Sequence, residues 1–395
     1  MNPRIDALHP YPFEKLRALV HGIEPNPQLA PLSLGIGEPQ HAPPAQVLQA
    51  LTDAVMDVAH YPATLGRPEL RQTIADWASR RFTPAQIESD QVIPVTGTRE
   101  ALFAVIQALV PSGKRILMPN PFYQIYEGAA LMAGAEPHYL NADGHNDFAP
   151  SPEDVEDFSQ VAAVFLCTPG NPSGRVLSMQ ELQAWIRAAQ THDFLLISDE
   201  CYSEIYRDEQ NPPPGLLQAA SAMGNDALDH CIAVGSLSKR SNLPGLRSGY
   251  MIGHRDLMAR FAKYRTYHGC AMPGHHQAAS IAAWNDEAHV LDNRDQYREK
   301  YAMAQELLAD YLPQEPPAGG FYLWIQVPGG DDEGFVRYLL DRYNLRVLPG
   351  RYLGREVAGY NPGAGRIRAA LVSSLDTTRE AIERLRDALN EWSQQ

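Results

Sequence analysis

From about residue 90 the chain alternates short apolar runs with longer stretches of helical periodicity, and few architectures satisfy that alternation. The runs span residues 91–95, 115–118, 162–167, 194–198, 231–235 and 250–253. They are hydrophobic nearly throughout rather than at every second position. Strands covered on both faces read this way, so the pattern predicts an α/β fold: a mostly parallel central sheet with crossover helices on both faces. With 395 residues the chain also exceeds one ordinary core. Beyond residue 290 the pattern changes to a long helical segment (295–311), a strand at 319–325, a further helix, a strand at 346–348 and an apolar run at 366–372. A closing helix carries Ile382, Leu385, Leu389 and Trp392 as a stripe. The expected organisation is an N-terminal arm (1–40) joined to a small α+β domain (291–395), and a large domain over 41–290.

In open α/β sheets ligands bind beyond the carboxyl ends of the strands. Polar or glycine-rich clusters follow most of the runs: Gly97-Thr98-Arg99, Pro121-Phe122-Tyr123, Thr168 to Pro172, Asp199 to Tyr202, and Ser236 to Lys239. These clusters are therefore expected to converge. Thr98 also reads as a plain helix N-cap, with Ala101, Leu102, Val105, Ile106 and Leu109 as the apolar side that follows. Asp199 reads equally as a cap, Asn171 as a turn residue before proline, and Tyr202 and Tyr126 as core.

The segment VGSLSKRSNLPGLRSGY, residues 234–250, concentrates the chemistry. It predicts a buried strand delivering a loop that bears Ser236, Ser238, Lys239 and Arg247. A lysine so placed becomes a nucleophilic amine when desolvation and nearby cations lower its pKa, whereas on a solvated loop it does nothing. The hydroxyls and the planar fork of Arg247 suit phosphoryl oxygens. Upstream, LSLGIGEP places Gly35 and Gly37 where backbone can approach a ligand closely, but the third glycine of a dinucleotide fingerprint is missing.

A net charge of −14 with no basic cluster argues against nucleic acid or an anionic membrane as partner and leaves small molecules. No run approaches the length that spans a bilayer, and MNPRIDALHPYPF lacks the apolar core of a leader, so a cytoplasmic protein is expected. The four cysteines are widely spaced and the pair His275-His276 has no ligand at suitable spacing, so no metal site is expected.

Asn171-Pro172-Ser173-Gly174, then Asp199 and Tyr202 in SDECY, then SLSK with Arg247 eight residues beyond Lys239, resemble the fold-type I aminotransferases of class I and II, which depend on pyridoxal 5′-phosphate. The resemblance runs from about Leu32 to the C-terminus. It implies that Lys239 forms the Schiff base with the cofactor and moves the substrate's α-proton, and that Asp199 pairs with the pyridine nitrogen. It implies further that Asn171 and Tyr202 bind the 3′ oxygen, that Tyr123 stacks on the ring, and that Gly97, Thr98, Arg99, Ser236, Ser238 and Arg247 surround the phosphate. By the same resemblance Tyr61 reaches the phosphate of a neighbouring subunit in a homodimer, and Arg368, with Gly37 and Asn171, grips the substrate α-carboxylate. Arg366, on the same strand face, is the alternative to Arg368.

HPYPFEKLRAL, SLSKRSNLPGLRSGY and VLPGRYLGRE are most similar to the bacterial succinyldiaminopimelate aminotransferases of lysine and diaminopimelate biosynthesis. The implied reaction converts N-succinyl-2-L-amino-6-oxopimelate and L-glutamate into N-succinyl-LL-2,6-diaminopimelate and 2-oxoglutarate. An aspartate- or aromatic-type aminotransferase, or a carbon–sulfur lyase of the same fold, is the alternative. Amino and oxo acids with more than one carboxylate call for a second cation, for which Arg351 and Arg355 are the sequence candidates.

Overall fold

The structure is a computed structural model, and it describes residues 2–394. Twelve strands are present among the described residues: β1 (Leu32–Ser33), β2 (Val92–Val95), β3 (Arg115–Asn120), β4 (Glu136–Asn141), β5 (Val161–Cys167), β6 (Leu195–Asp199), β7 (Cys231–Ser236), β8 (Gly249–Gly253), β9 (Tyr322–Gln326), β10 (Leu345–Arg346), β11 (Leu348–Pro349) and β12 (Arg366–Ala370).

Seven of them form the central sheet in the order β2-β8-β7-β6-β5-β3-β4. β3 to β7 are mutually parallel, whereas β8 runs antiparallel to both β2 and β7. The sheet is thus mostly parallel, as expected, and its one reversed strand has a consequence for the site. Because two reversals restore direction, β2 points the same way as β3 to β7 and delivers Gly97 to the same edge. β8 instead starts at that edge, so Arg247, two residues before it, lies there as well. The strand β4, EPHYLN, was not foreseen; it lies at the sheet edge with three of its six residues half-buried and two exposed in alternation, so it lacks the continuous apolar run of its neighbours.

Hydrophobic clusters fill both faces of this sheet. One contains Trp77, Trp185 and Trp284; the other contains Ile93, Val105, Phe165 and Phe261. Each fully buried aliphatic side chain of this kind contributes about 1.5–3 kcal/mol. A third cluster joins Leu34 of the arm to Leu323, Val347, Ile367 and Leu385 from the C-terminal elements. There β11-β12-β9 form an antiparallel sheet, and β1 pairs in parallel with β10. The single strand expected at 346–348 is thus two pieces in two sheets. The long helix runs Ala288–Leu307 rather than 295–311, and the helical stretch after residue 45 is an α-helix over Ala45–Asp53 continued as a 3-10 turn at Val55–Ala59. No helix among the described residues is long and apolar enough to cross a membrane.

Candidate active site

The carboxyl edge of the sheet opens into a cleft of about 540 Å³ whose walls include Gly37, Thr98, Arg99, Tyr123, Asn171, Asp199, Tyr202, Ser236, Ser238, Lys239, Arg247 and Arg368. Residues spread over more than 300 positions of sequence therefore meet, as strand-end clusters of this topology should. Gly97 stands just behind the wall. Tyr61 does not: it is 104% exposed in the single chain.

Lys239 does not sit in a loop. It belongs to one turn of helix, Leu237–Arg240, capped by Ser236, whose Oγ accepts from the Ser238 N–H at 3.2 Å. Its Nζ donates to the Gly37 carbonyl at 2.5 Å, and burial lowers its pKa from 10.5 to about 8. An amine in that range is partly neutral at physiological pH and can act as base and nucleophile.

Asp199 closes β6 and is fully enclosed. Its Oδ2 accepts from the Tyr126 hydroxyl at 2.7 Å and its Oδ1 from the Cys201 N–H at 3.3 Å. No helix starts there, so the capping alternative falls. Burial pushes the carboxyl pKa up, although its hydrogen bonds oppose this. Among the described ion pairs no cation faces it. A buried carboxylate without a cation gains by meeting a positively charged ring N–H.

The helix Thr98–Leu109 is capped by Gly97, at φ 87°, and Thr98 is its first residue rather than its cap. The N–H groups of the first turn are unpaired within the helix and carry the positive end of its dipole. A Cβ on Gly97 would lie 2.3 Å from Arg247 Nη2, so glycine is required twice, by backbone conformation and by the approach of that guanidinium. Ser236, Ser238 and Arg247 face the same space. The arrangement is suited to a phosphate.

Arg368 is 5% exposed and has no carboxylate partner among the described residues. Nη1 donates to Asn171 Oδ1 and Nη2 to the Gly35 carbonyl, each at 3.0 Å, while Nε is buried without a partner. The guanidinium lies over the Tyr322 ring at 4.4 Å. Arg366 stacks on Phe148 and Trp324 instead, so Arg368 is the one that faces the cleft. Glycine matters here too, since a Cβ on Gly37 would come within 2.0 Å of the Tyr322 hydroxyl, itself 3.0 Å from that of Tyr202. Gly37 lines the cleft beside Arg368, as expected of a residue near the carboxylate; its carbonyl holds Lys239, and the Gly35 carbonyl orients Arg368.

Arg351 and Arg355 are not in the cleft wall. Arg351 is paired with Asp332 and Glu333; Arg355 forms a two-pronged pair with Glu127, 2.7 Å from Nε and 2.6 Å from Nη2. Both bind carboxylates of their own chain, which removes them as a second substrate cation. A third cleft arginine, Arg99, stands in the first turn of the helix Thr98–Leu109, so its backbone N–H belongs to the helix terminus while its side chain points elsewhere. Arg99 donates from Nε to the Tyr123 hydroxyl at 2.8 Å and from Nη2 to the Tyr11 hydroxyl at 3.3 Å, with no acidic partner among the described residues. Outside the cleft, Glu100, His268 and Cys270 lie close together, but the Arg265 guanidinium donates to both Cys270 and Glu100 and so occupies the cluster with its own charge.

The cleft thus offers an anion seat at a helix terminus, a buried acid without a cation, a buried arginine without an anion, and an amine of lowered pKa between them. The family model for aminotransferase class I and II matches residues 30–385. The chain belongs to that family. It is 30% identical to the LL-diaminopimelate aminotransferase of Aquifex aeolicus over 97% of this chain and 98% of that protein. The crystal structure of an aminotransferase from Neisseria meningitidis superposes with a TM-score of 0.94 at 41% identity, covering 99% of this chain and 100% of that one. Aminotransferase AspB of Helicobacter pylori follows at 0.89 and 35%, covering 98% and 100%. This aminotransferase has the fold-type I architecture and works with pyridoxal 5′-phosphate, as class I and II members do.

Proposed function

We propose that this aminotransferase exchanges the amino group between L-glutamate and an oxo acid bearing a distal carboxylate, with N-succinyl-2-L-amino-6-oxopimelate as the physiological acceptor. The observation that carries the reading is Arg99: a cleft guanidinium held by two phenols and left without an acid. Tyr11, one of those phenols, comes from the HPYPFEKLRAL segment that resembles the succinyldiaminopimelate enzymes.

When bound, the cofactor supplies an electron sink for the carbanion at the substrate α-carbon. In this reading Lys239 Nζ would hold the cofactor and serve as the base for the substrate's α-proton. Asp199 would keep a proton on the pyridine nitrogen, Asn171 and Tyr202 would bind the 3′ oxygen, and the Tyr123 ring would lie against the cofactor ring. Gly97, Thr98 and Arg99 through their backbone, with Ser236, Ser238 and Arg247 through their side chains, hold the phosphate. Arg368 binds the α-carboxylate, with Asn171 and Gly35 fixing its fork. The domain division at about residues 40 and 290, a cytoplasmic location and a homodimer sharing Tyr61 belong to the same proposal.

Direct action on LL-diaminopimelate is the second reading, favoured by the name of the Aquifex aeolicus relative. The far end of that molecule carries an ammonium beside its carboxylate and would bring that charge to Arg99, whereas a succinylated end is a neutral amide with two carboxylates. A panel of N-succinyl-LL-diaminopimelate, LL-diaminopimelate, aspartate and alanine, followed by the change in the cofactor's visible absorption, separates the readings. Arg99→Ala is expected to cost on the order of 2 kcal/mol in kcat/KM for the succinyl substrate and little for alanine. Preference for LL-diaminopimelate, or equal losses on both donors, would rule the succinyl reading out.

A further inference from the structure

Behind the Lys239 turn lies a line of buried polar groups that the chemistry above does not use. Lys300 is 2% exposed and has no acidic partner among the described ion pairs; its Nζ is 2.5 Å from His41 Nε2. His41 Nδ1 is 2.7 Å from Asn293 Oδ1, and Asn293 Nδ2 donates to the carbonyls of Lys239 at 3.1 Å and Arg240 at 3.2 Å. Asn242 Nδ2 donates to the same Asn293 oxygen at 3.0 Å. The Tyr297 ring packs against both His41 and Lys300.

Chemistry fixes the direction of every bond. Backbone carbonyls can only accept, so Asn293 turns its NH₂ towards the last carbonyls of the Lys239 turn, which have no partner within so short a helix. Its Oδ1 then accepts the ring proton on His41 Nδ1, and the bare Nε2 accepts from Lys300 Nζ, a donor whether or not it is protonated. His41 is also four residues beyond Gly37, whose carbonyl receives Lys239 Nζ. Asn293 and Lys300 are seven residues apart, on one face of the helix Ala288–Leu307. The arm and the long helix thus grip the Lys239 turn from two sides.

We propose that Lys300 and His41 are positioning residues for the amine of Lys239: through Asn293 they form a buried, one-directional hydrogen-bond relay that clamps the turn carrying it. Burial lowers the His41 pKa to about 4, so the ring stays neutral and the relay intact at physiological pH. The proposal rests on Lys239 being the cofactor-bearing lysine.

Borohydride reduction and peptide mapping test that premise separately; label on another lysine would fail the premise and leave the relay without a purpose. With label on Lys239, ¹⁵N NMR of His41 in the wild-type holoenzyme should show the proton on Nδ1 and a bare Nε2, and the opposite tautomer would overturn the relay whatever the variants do. His41→Phe and Lys300→Met should retain cofactor but shift the pH midpoint of its visible absorption, and lower kcat about tenfold with KM for glutamate little changed, as misplacement of a reacting group does. His41→Gln, which can accept from Lys300 and donate to Asn293, should restore most of both. Variants that lose only thermal stability, or equal behaviour of the Gln and Phe forms, would reduce these residues to packing.

Discussion

The amine of Lys239 is a charge kept at low solvation, and that has a measurable cost in the apoenzyme. Its pKa falls from 10.5 to about 8 because the folded protein buries it. Between those values the unfolded chain binds the proton and the folded chain does not, so unfolding takes up protons and stability rises with pH. Below about pH 8 the penalty is fully present; it fades as the pH rises towards 10.5. Lys300, also lowered to about 8 by burial, acts in the same window. Thermal unfolding of the apoenzyme from pH 7 to 9.5, below the range near 10 where tyrosines ionise, should therefore show increasing stability. Lys239→Met should be more stable than wild type at pH 7 and show a shallower rise. A parallel rise in both would mean that the amine is not desolvated. At this scale the sequence was most legible. Lys239, Asp199, Asn171 and Arg368 stand in short local patterns, and the structure brings them to one cleft. The bond from Tyr126 to Asp199 and the contact of the Tyr322 hydroxyl with Gly37 were not legible, since each joins positions far apart in the chain.

Elements carry the next set of constraints. The segment after β1 passes so close to β9 that the α-carbon of Gly37 leaves no room for a methyl group beside the Tyr322 hydroxyl. Gly37→Ala should displace that ring, disturb the cation–π contact with Arg368 and raise KM for amino acids. Adding Tyr322→Phe, which removes the clashing oxygen, should recover part of the loss, and steady-state kinetics of the single and double variants measures the coupling. The glycine-flanked segment 350–355 reads as a specificity loop because it carries two arginines near Arg368 in the chain. Their acids, Glu127, Asp332 and Glu333, come from other elements, with Glu127 and Arg355 separated by 228 positions. Arg355→Met should leave buried Glu127 without its guanidinium, with the Tyr139 hydroxyl as its remaining close donor, at a cost of about 3 kcal/mol. Denaturant unfolding should register it, while the ratio of kcat/KM between long and short substrates stays at the wild-type value. The reversal of β8 and the half-exposed strand β4 escaped notice for a similar reason: strand direction and edge position depend on neighbours, not on composition.

For the whole molecule, the single chain leaves an apolar strip uncovered. Val55, Met56, Val58, Tyr61 and Leu65 are all exposed, as is Tyr267, which lies near this strip because Arg265 reaches the Thr64 carbonyl. In the proposed homodimer, such a strip of large apolar side chains is what a second copy would cover. Tyr61 then decides whether the two sites are independent. In the isolated chain it touches no cleft residue among the hydrogen bonds and ring contacts described, so any part it plays at the cofactor phosphate comes from the partner. Lys239→Ala and Tyr61→Phe chains should each be weak alone, the second through cofactor affinity. In a mixed dimer both lesions fall in one site, and the other site is built from intact residues of both chains. Hybrids isolated with two different tags should therefore recover about half of the wild-type activity per dimer, because one of two symmetric sites is complete. If Tyr61 acted within its own chain, each site of the hybrid would carry one lesion, and activity would stay at the mean of the parents. Met56→Glu, which places a charge in the strip, should convert the dimer to monomer in sedimentation and lower cofactor affinity in step. A monomeric variant with wild-type cofactor binding would separate assembly from the site altogether.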